Sequence, residues 1–377
     1  MEHIVYLDNS STTKPCKAAI DGVNRAMTDC WGNPSSLHRI GLEAELAVNG
    51  ARETVAKSLH CRADEIIFTG SGTEANNAAL MSVLANHRRG KRIITTAIEH
   101  PSVLETAKRL EAMGYEVIRL KPDHSGKILL EDLKNALNGD TLLVSIMLVN
   151  NEVGSIQPIS EAAALIKKYA PSALFHCDAV QGYGKLPINA SRLGVDMLSA
   201  SGHKIHGPKG IGFLYCKKGV HISPFITGGG QERGLRSGTE SVPLICGLKG
   251  AVDELSNISL CLKNQQKLYD YTKSRLSELG FIKINSQDGG LPYIMNISVP
   301  GYRSETLLHF LESRGIFVSS GSACSKGHIS YVLKEVGLTP ELIDSALRLS
   351  FSRYNTQEDI ELLCAALKDA VTKLRKA

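Results

Sequence analysis

From about residue 50 to residue 215, short β-rich runs alternate with stretches of helical periodicity, and this alternation limits the folds open to the chain more than any other feature. The runs are Ile66–Thr69, Ile93–Thr96, Val117–Leu120, Thr141–Val149, Ala173–Cys177, Met197–Ser199 and Ile211–Tyr215. Strands separated by helix-length segments become parallel neighbours, because a parallel connection needs a long crossover and a helix supplies one. An α/β layer with a largely parallel sheet is therefore expected. After a helical stretch around 244–280 the pattern changes to an alternating run at Ile294–Val299, a helix near Glu305–Ser313, and strands at Ile316–Val318 and Ala346–Ser352. These predict a smaller α+β unit. It closes on Thr356-Gln-Glu-Asp359, which has the form of a capping box, followed by Ile360, Leu363, Cys364, Leu367, Val371 and Leu374 at helical spacing, a stripe that faces a core.

Composition narrows the function classes. With 377 residues, 43% of them hydrophobic and 21% charged, the chain can bury real cores and is too evenly mixed for disorder. The balance of 43 Lys and Arg against 38 Asp and Glu gives +5, without the basic run and interleaved aromatics of a nucleic-acid stripe, so small anionic ligands suit it better. Nine scattered cysteines, with no Cys-x-x-Cys and no Cys/His cluster at zinc spacing, argue against a disulfide framework and a structural metal. His203 and His206 are three apart, but no third ligand joins them in the sequence. The first residues lack a basic region followed by an apolar one, and no stretch approaches about 18 uninterrupted apolar residues. The expectation is a cytoplasmic protein with no metal, no membrane span and no direct contact with nucleic acid.

In open parallel sheets ligands sit beyond the carboxyl ends of the strands, so the residues that follow each run are the ones to inspect. After Ile66–Thr69 comes Gly70-Ser-Gly72-Thr73-Glu74 leading into a helix, a turn whose N–H groups and dipole favour a phosphate. After Ile93 and its neighbours come Glu99, His100 and Pro101, the proline fixing the approach to the histidine. Asn150, Asn151 and Glu152 follow Thr141–Val149, while Asp178 and Gln181 follow Ala173–Cys177. An aspartate ending a buried strand is costly unless it meets a cation or donors, and a protonated pyridine nitrogen is one such partner. Lys204 follows Met197 and Leu198 and lies among Ser201, His203 and three glycines, a turn on which its amine could form a Schiff base. Any one of these elements is compatible with an ordinary turn. Taken together they meet the demands of pyridoxal phosphate: a lysine, a carboxylate for the ring nitrogen, and a phosphate cradle.

In sequence order, Tyr6-Leu-Asp-Asn-Ser-Ser-Thr-Thr13, Gly32-Asn-Pro-Ser-Ser36, Gly70-Ser-Gly-Thr-Glu74, Glu99-His100, Val149-Asn-Asn-Glu152, His176-Cys-Asp-Ala-Val-Gln181, Ser201-Gly-His-Lys-Ile205, Gly228-Gly-Gly-Gln-Glu-Arg-Gly234, Arg236-Ser-Gly-Thr239 and Ser319-Ser-Gly-Ser-Ala-Cys324 resemble the cysteine desulfurases of the NifS/IscS family, in the class V aminotransferase branch of fold type I. The resemblance runs nearly end to end. It implies a fold type I pyridoxal 5'-phosphate enzyme with a large, mostly parallel α/β domain over 15–257 and a small α+β domain formed by 1–14 with 258–377, acting as a homodimer. It implies that Lys204 holds the cofactor and moves protons, that Asp178 meets the pyridine nitrogen and Gln181 the ring hydroxyl, and that His100 stacks on the ring and assists acid–base transfer. Gly72, Thr73, Ser201 and His203 would cradle the phosphate, with Thr239 reaching it from the neighbouring subunit. Asn151 would contact the cofactor, and Asn33, Asn151 and Arg353 would grip the substrate carboxylate, the arginine as a bidentate pair. Cys324 as thiolate would take sulfur from L-cysteine as a persulfide, releasing alanine, and pass it to an acceptor protein. Lys326 and His328 add positive charge close to that thiol in the sequence, which favours ionisation.

After Cys324 the chain reads Ser325-Lys-Gly-His-Ile-Ser-Tyr-Val-Leu333, two residues shorter than in the housekeeping members of that family. An iron–sulfur scaffold and a tRNA- or thiamine-thiolation protein both stay open as acceptors. A selenocysteine lyase or a small-substrate aminotransferase on the same fold is the nearest rival, and a loop cysteine favours desulfuration because an aminotransferase has no need of it. A carrier using Cys324 on an inert scaffold would leave Lys204 and Asp178 unexplained.

Overall fold

A computed structural model describes residues 4–86, 90–255, 257–320 and 330–376. Its largest element is a seven-stranded sheet in the order β2-β8-β7-β6-β5-β3-β4, built after a short first strand, β1 (Val5–Tyr6). The strands are β2 (Ile66–Thr69), β3 (Arg92–Thr96), β4 (Glu116–Leu120), β5 (Thr141–Met147), β6 (Leu174–Asp178), β7 (Met197–Ser201) and β8 (Gly212–Cys216). All neighbours are parallel except β8, which runs antiparallel to both β7 and β2. Every residue of β5, β7 and β8 is buried, as a sheet covered on both faces requires.

Helices cover the two faces. One side is packed by Arg39–Ser58, Val242–Asp253 and Ile159–Tyr169, whose Val48, Val55, Leu248 and Ile166 join Phe68, Val144, Phe175 and Phe213 in one core. On the other side Gly72–Met81 and Pro101–Ala112 bury Ala78, Leu80, Val103 and Leu110 against Ile67, Ile93, Leu143 and Leu214.

A second sheet is antiparallel, in the order β12-β13-β10-β9, from β9 (Lys283–Ile284), β10 (Ile294–Ser298), β12 (Ser319–Ser320) and β13 (Ala346–Ser350). Beside it β11 (Ile316–Phe317) pairs in parallel with β1, and Asp8 continues alongside Ser350. Leu7, Met295, Ile297, Leu307, Leu347, Leu349, Ile360 and Leu367 form a separate core there, each side chain contributing about 1.5–3 kcal/mol through burial. The last helix, Gln357–Lys373, starts on the capping box expected from its sequence: the Thr356 hydroxyl accepts from Asp359 N and the Asp359 carboxylate from Thr356 N. Among the described residues no helix is long and apolar enough to cross a membrane.

Candidate active site

A cavity of about 350 Å³ opens where β5, β6 and β7 end and where the segment after β1 and the middle of β13 approach them. Gly72, Thr73, His100, Asn151, Asp178, Gln181, Ser201, His203 and Lys204 all line it. The sheet register explains part of this convergence: Met147 of β5 lies beside Asp178 of β6, which lies beside Ser199 of β7.

Lys204 ends a short turn, Gly202–Lys204, directly after β7. Its amine donates to the main-chain oxygens of Ser10 and Ser11, the second at 2.8 Å. The Ser10 carbonyl also accepts the Gln181 amide at 2.9 Å. Lys185 is buried on the far side of Gln181, donating to Oε1 at 3.2 Å, with its amine pulled down to about 7 by burial first and then by Lys204 and Arg348.

Asp178 is buried at the end of β6, where Oδ1 accepts Val180 N at 2.9 Å and Oδ2 accepts the Asn76 amide at 2.7 Å. His100 caps the helix Pro101–Ala112, its Nδ1 accepting Ser102 N at 3.1 Å, and burial holds its pKa down. Glu99, fully buried next to it, accepts from the Thr96 hydroxyl at 2.9 Å and Met147 N at 2.8 Å. Burial pushes that carboxyl up to about 8. His203 faces Thr12 at 3.2 Å, its ring lowered to about 4 by burial and by Lys204.

The phosphate end is the N-terminus of Gly72–Met81, capped by Ser71 accepting Glu74 N at 3.1 Å. A Cβ on Gly72 would meet Val180 Cγ2 at 2.7 Å, so the turn presents bare backbone. Ser10 Oγ, Asn76 Oδ1 and Ser201 Oγ are buried on the cavity wall without a partner. Unpaired wall atoms, a bare helix start and a buried carboxylate are what a phosphorylated pyridine would satisfy, so these residues fit pyridoxal phosphate.

Three other expected residues sit elsewhere. Arg353 lines a smaller cavity of about 40 Å³ that shares Lys204 with the first; it donates to the Glu254 carbonyl at 2.9 Å and pairs with the Glu254 carboxylate. Asn33 is exposed on the loop before the helix Arg39–Ser58, its Oδ1 accepting Ser35 N at 3.0 Å. Thr239 is exposed before the helix Val242–Asp253. Cys324 lies outside the described residues.

Asn76, Ser102, Lys185 and Arg348 are absent from the sequence-derived set. Arg348, buried in β13, reaches the cavity and donates to Asp8 at 2.8 Å, Ser11 Oγ at 2.7 Å and the Asn151 carbonyl at 3.1 Å. An arginine inside the apolar run Ala346–Phe351 was the available signal, since a buried guanidinium demands partners.

Comparison with known proteins places this geometry. The family model for class-V aminotransferases matches residues 5–363. A cysteine desulfurase of Nostoc sp. is 41% identical over 99% of this chain and 94% of its own. A cysteine desulfurase IscS of Methanosarcina thermophila is 42% identical over 98% and 93%. The chain belongs to the class-V aminotransferases, among the cysteine desulfurases. A solved NifS-like protein superposes with a TM-score of 0.94 at 39% identity, covering 99% of this chain and 100% of that one. SspA, solved in complex with cysteine, superposes with a TM-score of 0.82 at 33% identity over 93% and 99%. The class-V family depends on pyridoxal phosphate, in agreement with the cavity's donor set.

Proposed function

We propose that this desulfurase converts L-cysteine to L-alanine and passes the sulfur through Cys324 to an acceptor protein. The observation that carries this reading is the meeting of Lys204, Asp178 and the Gly72 helix start on one cavity. Bound pyridoxal phosphate would supply an aldehyde for the substrate amine and a ring that accepts the electron pair released at the α-carbon. Lys204 would hold that aldehyde and, when free, would move the α-proton, with the Ser10 and Ser11 carbonyls that accept its amine orienting it. Asp178 would keep a proton on the ring nitrogen, Gln181 would orient the ring hydroxyl, and His100 would stack on the ring and shuttle a proton. Gly72, Thr73, Ser201 and His203 would hold the phosphate. Arg353 and Asn151 would bind the substrate carboxylate, the arginine exchanging Glu254 for it.

The Cys324 thiolate then attacks the substrate sulfur. The Sγ–Cβ bond breaks, its electron pair stays with the substrate carbon, which takes up a proton on the way to alanine, and the sulfur remains on Cys324 as a persulfide. An acceptor thiolate attacking the outer sulfur regenerates Cys324. An iron–sulfur scaffold and a thiolation enzyme would satisfy that chemistry equally.

The homodimer has its own support. Ile20 and Met27 of the helix Lys17–Asp29, Trp31 and Leu37 of the following loop, and Leu42 and Leu46 of Arg39–Ser58 form an exposed apolar set next to Asn33. A second copy covering this set would bury it; Thr239 would reach the phosphate from the neighbouring subunit, and Asn33 would join Arg353 and Asn151 on the substrate carboxylate. The division into 15–257 and 1–14 with 258–377 draws its support from two main cores, although Leu291, Tyr293 and Ile294 pack into the first and Val332, Leu333 and Ala346 pack on Ile98, Met147 and Val153.

The test is incubation with L-cysteine and a reductant, measuring alanine and sulfide for the parent and for Cys324→Ala. Equal yields from the parent, lost in the variant while the cofactor's absorbance persists, are expected. A parent that binds the cofactor and releases neither product would overturn the reading.

A further inference from the structure

We propose that Asn76 and Ser102 are positioning residues that hold His100 as its Nε2–H tautomer and tie its ring to the Asp178 carboxylate. The catalytic consequence rests on the desulfurase reading above; the hydrogen-bond assignment does not.

Asn76 is buried one turn into the helix Gly72–Met81, and its Nδ2 donates to Asp178 Oδ2 at 2.7 Å and to Ser102 Oγ at 2.9 Å. The amide can be read only one way. Rotated, its oxygen would face a carboxylate oxygen at that distance, acceptor against acceptor. Both amide hydrogens are therefore committed, one to each neighbour.

Ser102 Oγ, having accepted from Asn76, has its own hydrogen to give, and His100 Nδ1 lies 2.8 Å away. The same nitrogen receives the Ser102 main-chain N–H at 3.1 Å, a donor that cannot reverse its role. A ring nitrogen accepting two hydrogen bonds carries no proton, so the neutral ring keeps its proton on Nε2. The charged groups facing the ring are Asp178, which favours its protonation, and Lys204, which opposes it as burial does. The chain of donors thus runs from Asn76 through Ser102 to Nδ1, with Asp178 fixed at its other end. It leaves Nε2–H as the edge of His100 available to the cavity and prevents the ring from turning over.

The experiment uses the full-length chain loaded with pyridoxal phosphate, with histidine selectively labelled in ¹⁵N and long-range ¹H–¹⁵N spectra recorded against pH. His100→Gln assigns the signal. The parent should show a protonated Nε2 and an unprotonated Nδ1. Ser102→Ala should give a mixture of tautomers and move the ring's titration, Ser102→Thr should restore a single tautomer, and Asn76→Ala should shift the Nδ1 signal although it does not touch the ring. With L-cysteine, Ser102→Ala should lower kcat about tenfold with KM changed by less than about twofold. An Nδ1–H tautomer in the parent, or His100 signals in Ser102→Ala that overlay the parent's, overturns the proposal. Should Asn76→Ala not fold, the parent and the two Ser102 variants decide it. A parent that forms no alanine overturns the reaction assignment, while the nitrogen signals still decide the relay.

Discussion

Lys204 and Ser11 are joined at the carboxyl end of the large sheet by a 2.8 Å hydrogen bond from the amine to the main-chain oxygen. Ser11 is in turn held by Arg348, whose guanidinium also pairs with Asp8, so the segment that receives the lysine is anchored to β13. Lys204 comes from the turn that follows β7 of the large sheet and its receptor from a segment stitched to the small one.

Arg348→Gln should therefore act on stability and on catalysis together. Removing the guanidinium leaves Asp8 without its cation in a mostly buried setting, with the Ser11 hydroxyl still donating to it, a loss of about 3 kcal/mol for a broken buried pair. Urea unfolding should show that loss, and alanine formation should fall because the Ser11 carbonyl loses one anchor, although Ser10 stays tied to Ser350 and Gln181. A variant with parent stability would show that Asp8 finds water or another donor.

Glu152 offers a test by pH. It is buried, its Oε2 accepts the Ser330 hydroxyl at 2.5 Å, and burial raises its carboxyl from 4.5 to about 7. Between those values the folded protein keeps a proton that the unfolded chain has released, so this contribution to stability is complete below about 4.5 and is lost as pH rises through 7. Glu99 acts in the same direction up to about 8. His203 and His206, both held down to about 4, oppose it, costing stability as pH falls below 6.5. Glu152→Gln removes only its own part. The stability of Glu152→Gln relative to the parent should rise by roughly 3 kcal/mol between pH 4.5 and pH 8. Urea unfolding of both proteins across that interval checks it, and a constant difference would place the Glu152 carboxyl near its ordinary pKa.

How far the sequence reveals these relationships depends on how local their causes are. β2 is read and observed at Ile66–Thr69, because an apolar run ending at Gly-Ser-Gly leaves little freedom. β8 is legible as a strand, but not its antiparallel direction, since a run buried on both faces carries no orientation. The two-residue strands β9 and β12 hold too few residues to show a period. In the site, Asp178, His100 and Lys204 stand out as polar groups just past buried strands. Arg348 does not, because it lies within a strand and its partners Asp8 and Ser11 are distant in the chain. Asn76 is hidden among Ala75, Ala78 and Ala79, where the helix pattern alone reads as core.

Asp178→Asn probes the electronic role assigned to this carboxylate. The side chain keeps its size, so the fold should persist, with melting temperature as the control. A neutral amide cannot hold a proton on a pyridine nitrogen by charge, and losing one preorganised electrostatic partner typically lowers kcat about 100-fold or more. The absorbance of the bound cofactor should shift with it. Unchanged absorbance and kcat would remove Asp178 from contact with the ring.

Gly72→Ala addresses the phosphate end. The added methyl would lie 2.7 Å from Val180 Cγ2 and 3.2 Å from Ser201 Cβ, two residues on the same cavity wall. Val180 is only partly buried and lines the cavity, so it can yield only toward the space the cofactor would take, and Ser201 carries the unpaired hydroxyl that the phosphate would meet. The methyl also shields the first N–H groups of the helix, where an anion gains most. Fluorescence titration of the stripped protein with pyridoxal phosphate should then give a Kd at least about tenfold weaker than the parent's, near 1.4 kcal/mol, with the unfolding midpoint little changed. Equal affinity in the two proteins would mean that the phosphate sits away from this turn, and the roles given to Thr73 and Ser201 would fall with it.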